Sequence, residues 1–259
     1  MKKIGVGNRI FVALLVAGIC LFRSVESYAA EEIPAYNGAP SVVLNNNVPG
    51  FTADEITTSS FEQYGEPDRL GRCTAAIACM GKDLMPTEER EDISDVRPTG
   101  WKQNKYPGII DSDPPFLYNR CHMIGFQLTG ENANEKNLIT GTRYMNLMGM
   151  LPYENEVAEY VQSTGRHVMY RATPVFTDKN LLCDGVQIEA YSVEDKGRGI
   201  SFNVFCYNVQ PGVDIDYRDG SNKLAPDADK IVDSNPIKAI WRRFTEWFSK
   251  TFGIEERES

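Results

Sequence analysis

His122 is one of two histidines in the 259-residue chain, and imidazole is the side chain whose ordinary pKa lets it give or take a proton near neutral pH. Arg120 stands two residues before it. If Tyr118 to Met123 is extended, the two side chains share a face. A guanidinium fork can then clamp an anionic phosphoryl group while the imidazole takes a proton from an attacking water, the chemistry of phosphate-ester hydrolysis. Downstream, GENANEKN brings Asn132, Asn134 and Asn137, and TRYMN brings Arg143 and Asn146. A few amide and carboxylate oxygens, with water completing the shell, are what Mg²⁺ prefers.

The run NRCHMIGFQLTGENANEKNLITGTRYMN, from Asn119 to Asn146, resembles the DNA/RNA non-specific endonuclease family with a ββα-metal active site, and within it the secreted streptococcal-type DNases. The usual tetrad of that family reads Asp-Arg-Gly-His; here Asn119, Arg120, Cys121 and His122 occupy it. The resemblance implies that His122 is the general base, that Arg120 steadies the phosphate, and that Asn119 stands where the family has aspartate. It implies Asn146 as the metal-binding amide opening the helical part of the finger, with Glu154 as its acidic partner and Glu156 as the second choice. It also implies one Mg²⁺, with Mn²⁺ as the alternative ion, and a substrate of DNA, with RNA beside it. The products would carry 5′-phosphates, and sequence preference would be slight because contacts fall on the backbone. YGEPDRLGRC and NVFCYNVQPGVDIDY extend the likeness over most of the chain before Asp219. The alternative is a catalytically weak protein that keeps the nuclease fold for nucleic-acid binding or surface interaction.

The elements that must position these residues follow from pattern. Pro152 suits the first turn of a helix through YENEVAEYVQST, where Tyr153, Val157, Tyr160 and Val161 form an apolar face and Gly165 ends the run. Glu154 and Glu156 fall off that face, free for a site. Gly149 and Pro152 are expected to interrupt any helix continuing from Asn146. Three β-like runs follow, from His167 to Phe176, Val186 to Val193 and Ile200 to Val209, the last two joined as a hairpin by EDKGRG. His167 opens one of them and reads as structural. Upstream, Ser41 to Leu44 and Arg72 to Met80 read as strands, Phe61 to Gly71 as turns, and MPTEERED as a charged loop or short helix. The expected fold is α+β, a mainly antiparallel β-sheet core with a ββα-metal finger and flanking helices.

At its start the chain carries Lys2, Lys3 and Arg9 before an apolar run from Ile10 to Phe22. That run is shorter than the roughly 20 residues of a spanning helix, so residues 1–29 read as a signal peptide cleaved near Ala29 and the protein as secreted. Cleavage takes the formal charge from −9 to about −12. So acidic a body repels a polyanion at long range. The expectation is therefore a local basic groove, built from Arg97, Lys102, Lys105, Arg120, Arg143 and Arg171, with Arg97, Arg143 and Lys102 the substrate-binding candidates. Trp101 could border it. Five cysteines remain after Cys20 leaves, an odd count that requires a free thiol or an intermolecular bridge; Cys183 with Cys206 and Cys73 with Cys121 are the pairings to test. Residues 30–218 read as the nuclease domain and 219–234 as a polar linker. Residues 235–259 read as an amphipathic helix with Ile237, Ile240, Trp241, Phe244, Trp247, Phe248 and Phe252 on one face. Such a helix would dock on the body, a membrane surface or a protein partner.

Overall fold

The structure, a computed structural model, describes residues 33–228. The segments read as signal peptide and as amphipathic C-terminal helix lie outside the described residues. In chain order the elements are β1 (Ser41–Val43), β2 (Phe61–Tyr64), β3 (Ala76–Met80), β4 (Tyr118–His122), the short α1 (Phe126–Thr129), β5 (Leu138–Thr142) and α2 (Leu151–Thr164). Then come β6 (Val168–Val175), β7 (Gly185–Ser192), β8 (Ser201–Tyr207), β9 (Val213–Asp216) and β10 (Ser221–Leu224).

Six strands make one antiparallel sheet in the order β1-β8-β7-β6-β3-β2. Its middle is the meander β6-β7-β8, the three runs rich in β-branched and aromatic residues. Pro174 sits within β6, opposite Val186. It lies past the end of β3, whose ladder with β6 stops at Ala76 and Ala172, so its missing N–H deprives no partner there. Alternation along β6 turns Tyr170 and Ala172 into the main core and leaves Arg171 on the outer face. That core fills the space between Met80, Tyr170, Ile188 and Val204 of the sheet and Val157, Ala158 and Val161 of α2. The expected α+β fold with a mainly antiparallel sheet is the one found.

Four features depart from the sequence reading. Phe61–Tyr64 is not a turn but the edge strand β2, paired along β3; turn residues on either side masked its four-residue run. The chain does not become a linker at Asp219. β9 and β10 form a hairpin held to the body by the Tyr118 hydroxyl on the Gly220 carbonyl at 2.9 Å and by Asn222 against Tyr106 and Asn104. Gly149 and Pro152 do not break the helix. A π-turn, Met145–Met150, runs straight into α2 with Pro152 in the first turn of the α-helical part. Gly149 is small for another reason, because a Cβ there would stand 3.2 Å from that of Cys206. Finally, Cys73, Cys79, Cys121, Cys183 and Cys206 are all buried free thiols, so neither pairing considered from sequence is formed.

Candidate active site

Strands β4 and β5 form a two-stranded finger in which Arg120 pairs with Thr140 and His122 with Leu138. Alternation puts Arg120 and His122 on one face and Asn119 with Cys121 on the other. Asn119 therefore does not share the imidazole's side, against the expectation that it is catalytic. After His122 the chain turns through Gly125 into α1, and Asn137 braces the turn by exchanging hydrogen bonds with the Ile124 backbone. The amides of the GENANEKN loop are occupied in this way. Asn134 accepts from the Lys136 N–H, and Asn132 Oδ1 from the Glu91 N–H.

His122 is oriented by the same loop. Its Nε2 lies 2.8 Å from the carbonyl oxygen of Asn132. A carbonyl can only accept, so Nε2 carries the proton and Nδ1 keeps the lone pair. Facing Nδ1 at 3.4 Å is Nη2 of Arg90, a residue of the MPTEERED stretch that the sequence reads only as a charged loop or short helix. Burial, and then the Arg90 charge, push the imidazole down to about 4, so at physiological pH it is neutral with its Nδ1 lone pair unprotonated.

Glu154 completes the group. It lies in the first turn of α2 and is 8% exposed, not out on a free face. Its carboxyl group fills the space beside Gly125, where a Cβ would come within 2.8 Å of it. Burial pushes this carboxyl up to about 8 against the pull of Arg90. Val157, Ala158 and Val161 follow Glu154 by three, four and seven residues, so ordinary helical spacing sets it on their buried side once the face is counted from them rather than from Tyr153. One wide turn plus one α turn span about eight residues, which sets Asn146 and Glu154 two turns apart along one side of the helix. The Asn146 side chain is half-buried. Glu156, the second choice, is exposed.

The same burial yields a prediction. A carboxyl whose folded pKa lies above its unfolded value near 4.5 costs stability as pH rises from 4.5 toward 8, because the unfolded chain releases the proton first. Glu154→Gln should therefore raise the unfolding free energy in EDTA by about 2–3 kcal/mol at pH 7 and by little at pH 4.5, while lowering activity. Denaturant melts at the two pH values measure it, and an equal effect at both would refute it.

The remaining basic candidates are mostly committed elsewhere. The Arg120 guanidinium lies over the Trp101 ring at 4.3 Å and donates to the carbonyls of Val96 and Ser94 at 2.6 and 2.5 Å. The fork expected to clamp phosphate is thus holding the segment Glu88 to Arg97, the segment that delivers Arg90. Arg97 bonds the same two carbonyls. Lys102 is paired with Asp219 at 2.6 Å and fastens the β9-β10 hairpin. Arg171 lies on the outer sheet face between Glu189 and Glu55, at 2.8 and 2.9 Å, and over Phe51 at 4.7 Å, so it belongs to no groove at His122. Lys105 stacks on Phe116, and the Arg143 backbone N–H donates to Leu117. His167 is paired with Glu194 at 2.7 Å.

The family model for DNA/RNA non-specific endonucleases matches residues 53–194. The chain is similar in structure to NucA from Streptococcus agalactiae, solved without metal and with magnesium bound; in each case TM-score is 0.61 and identity 25%, with 71% of this chain and 86% of that chain covered. The Sda1 nuclease, solved with bound zinc, shares the fold at TM-score 0.60 and 23% identity, over 72% of this chain and 97% of that one.

Proposed function

The chain belongs to the DNA/RNA non-specific endonuclease family, a phosphodiester hydrolase acting on nucleic acid, and on that premise we propose that it is an exported enzyme cutting DNA, and RNA beside it, with 5′-phosphate products. The observation that carries this reading is the oriented pair at the finger. The unprotonated Nδ1 of the imidazole meets the Arg90 guanidinium at 3.4 Å, and a buried carboxyl lies in the same group. His122 Nδ1 takes a proton from water as its oxygen attacks phosphorus. The bond from phosphorus to the 3′ oxygen breaks, and that oxygen is protonated by solvent. Arg90 is the guanidinium placed to neutralise charge building on the non-bridging oxygens.

A divalent ion fits the residues present. Among the described residues no three His, Cys, Asp or Glu side chains converge on one point, so a caged transition metal is not what the site offers. Mg²⁺ is held by one or two protein oxygens and keeps its waters, and Asn146 would supply such an oxygen with Glu154 ordering water. The buried Tyr170 hydroxyl lacks a hydrogen-bond partner and feels the Glu154 charge, as expected of a place built for water. When bound, the ion stabilises the negative charge developing on the departing oxygen. The NucA structure with magnesium and the Sda1 structure with zinc support a divalent ion; the oxygen donors here make Mg²⁺ our choice, with Mn²⁺ its natural substitute.

Digestion of linear duplex, closed circular plasmid and RNA, with Mg²⁺ and with EDTA, tests the reading. Metal-dependent cutting of the circle supports it; folded protein that binds but cuts nothing in any divalent ion would replace it with a binding function. Asn146→Ala should raise the Mg²⁺ concentration for half-maximal activity by at least about 10-fold, with excess ion restoring the rate only in part. A Mg²⁺ titration of the variant checks this, and an unchanged midpoint would remove Asn146 from the site.

A further inference from the structure

His122 is closed on both sides. Its Nε2 is committed to the Asn132 carbonyl, its Nδ1 faces Arg90, and the residue is only 7% exposed. A base that accepts a proton from water must present Nδ1 to that water, and the guanidinium occupies the approach. The hold is weak, since the contact is 3.4 Å long and its acceptor is a neutral ring nitrogen. A guanidinium fork matches two phosphate oxygens far better. The backbone that follows Arg90 is fastened independently at two places. The Glu91 N–H donates to Asn132 Oδ1 at 3.0 Å, and Arg120 grips the carbonyls of Ser94 and Val96. The Arg90 side chain can therefore swing without the segment letting go.

We infer that Arg90 is a substrate-responsive cap on the general base: it covers Nδ1 of His122 in the free enzyme, and an arriving phosphodiester draws it onto the phosphate and opens Nδ1 to water. The inference rests on the reading of His122 as the base. It gives the enzyme a resting state in which the base is shielded and a working state formed only around substrate, with the substrate's negative charge as the trigger.

The two histidines of the chain make the test direct, because imidazole ¹⁵N spectra hold one site signal and one control from His167. The full chain in EDTA is titrated with a phosphorothioate deoxyoligonucleotide, which binds without being cut, and backbone amide shifts report saturation. The expected result is that the His122 Nδ1 signal moves on saturation toward the position it already has in free Arg90→Met, while His167 stays still. In Arg90→Met the oligonucleotide should move it by less than about a fifth as much; Arg90→Lys serves if that variant does not fold. A His122 signal that stays put at saturation overturns the cap, as does an equal shift in the Arg90 variant. The underlying reading fails separately, through a His122→Ala enzyme that still cuts.

Discussion

His122→Ala is expected to lower DNA cleavage by about 10²–10⁴-fold, the usual contribution of a positioned proton acceptor, with the fold intact. No other described imidazole can substitute, since His167 is paired with Glu194. The fold should survive because the ring makes a single backbone bond to Asn132, while the finger ladder and the Asn137 brace do not involve it. Gel or fluorogenic assays on parent and variant, with circular dichroism for folding, decide the matter. Activity within a few-fold of the parent would reject the base. The pH dependence adds a second readout. His122 is held near 4 when folded against roughly 6.5 unfolded. The unfolded chain therefore binds the proton first, and stability falls as pH drops from 6.5 toward 4. The alanine variant should lose that acid slope, and in the parent kcat/KM should fall off only as pH approaches 4.

Arg90→Ala is the second large effect, an expected loss of about 10²–10³-fold in kcat/KM, the scale found when one preorganised donor to developing negative charge is removed. The loss should appear mostly in kcat, because charge on the phosphoryl oxygens builds after binding. Arg90→Lys should recover only part, since an ammonium cannot reproduce a fork that meets two oxygens. Removing the cation also removes one of the causes that hold His122 low, so the acid limb of the residual activity should move to higher pH. Steady-state kinetics across pH check both statements together. A variant with unchanged kcat would mean that Arg90 is only a cover.

These two residues show what the sequence could and could not disclose. His122 was legible because its partners are local. The strand, the returning strand and the Asn132 loop all lie within twenty residues or so of it, and turn and alternation rules operate over that range. Arg90 was not, since it reaches the imidazole from 32 positions upstream, out of a loop whose composition reads as solvated acid. Lys102 and Arg171 misled for the same reason in reverse. Each looked like free positive charge, and each is neutralised by a carboxylate more than a hundred positions away. The face of Glu154 was missed for a different reason: the apolar stripe was counted from Tyr153, and a carboxylate runs against the usual composition of the buried side that it shares with Val157, Ala158 and Val161. The antiparallel meander, by contrast, follows from β-branched alternation and short connections, and was readable throughout.

The order of strands in the large sheet has a consequence for when this protein can exist as an enzyme. β1 is completed by β8, joining Val42 to Phe205, and β3 waits for β6, joining Cys79 to Met169. Chain closure over such separations makes assembly slow and leaves little of the sheet able to form from the first half of the chain alone. Until β6, β7 and β8 have been made, the helix bearing Glu154 has no finished sheet to pack against. A chain built this way reaches its working form only after β8, its last long strand, has been added, because β1 and the rest of the sheet close onto it.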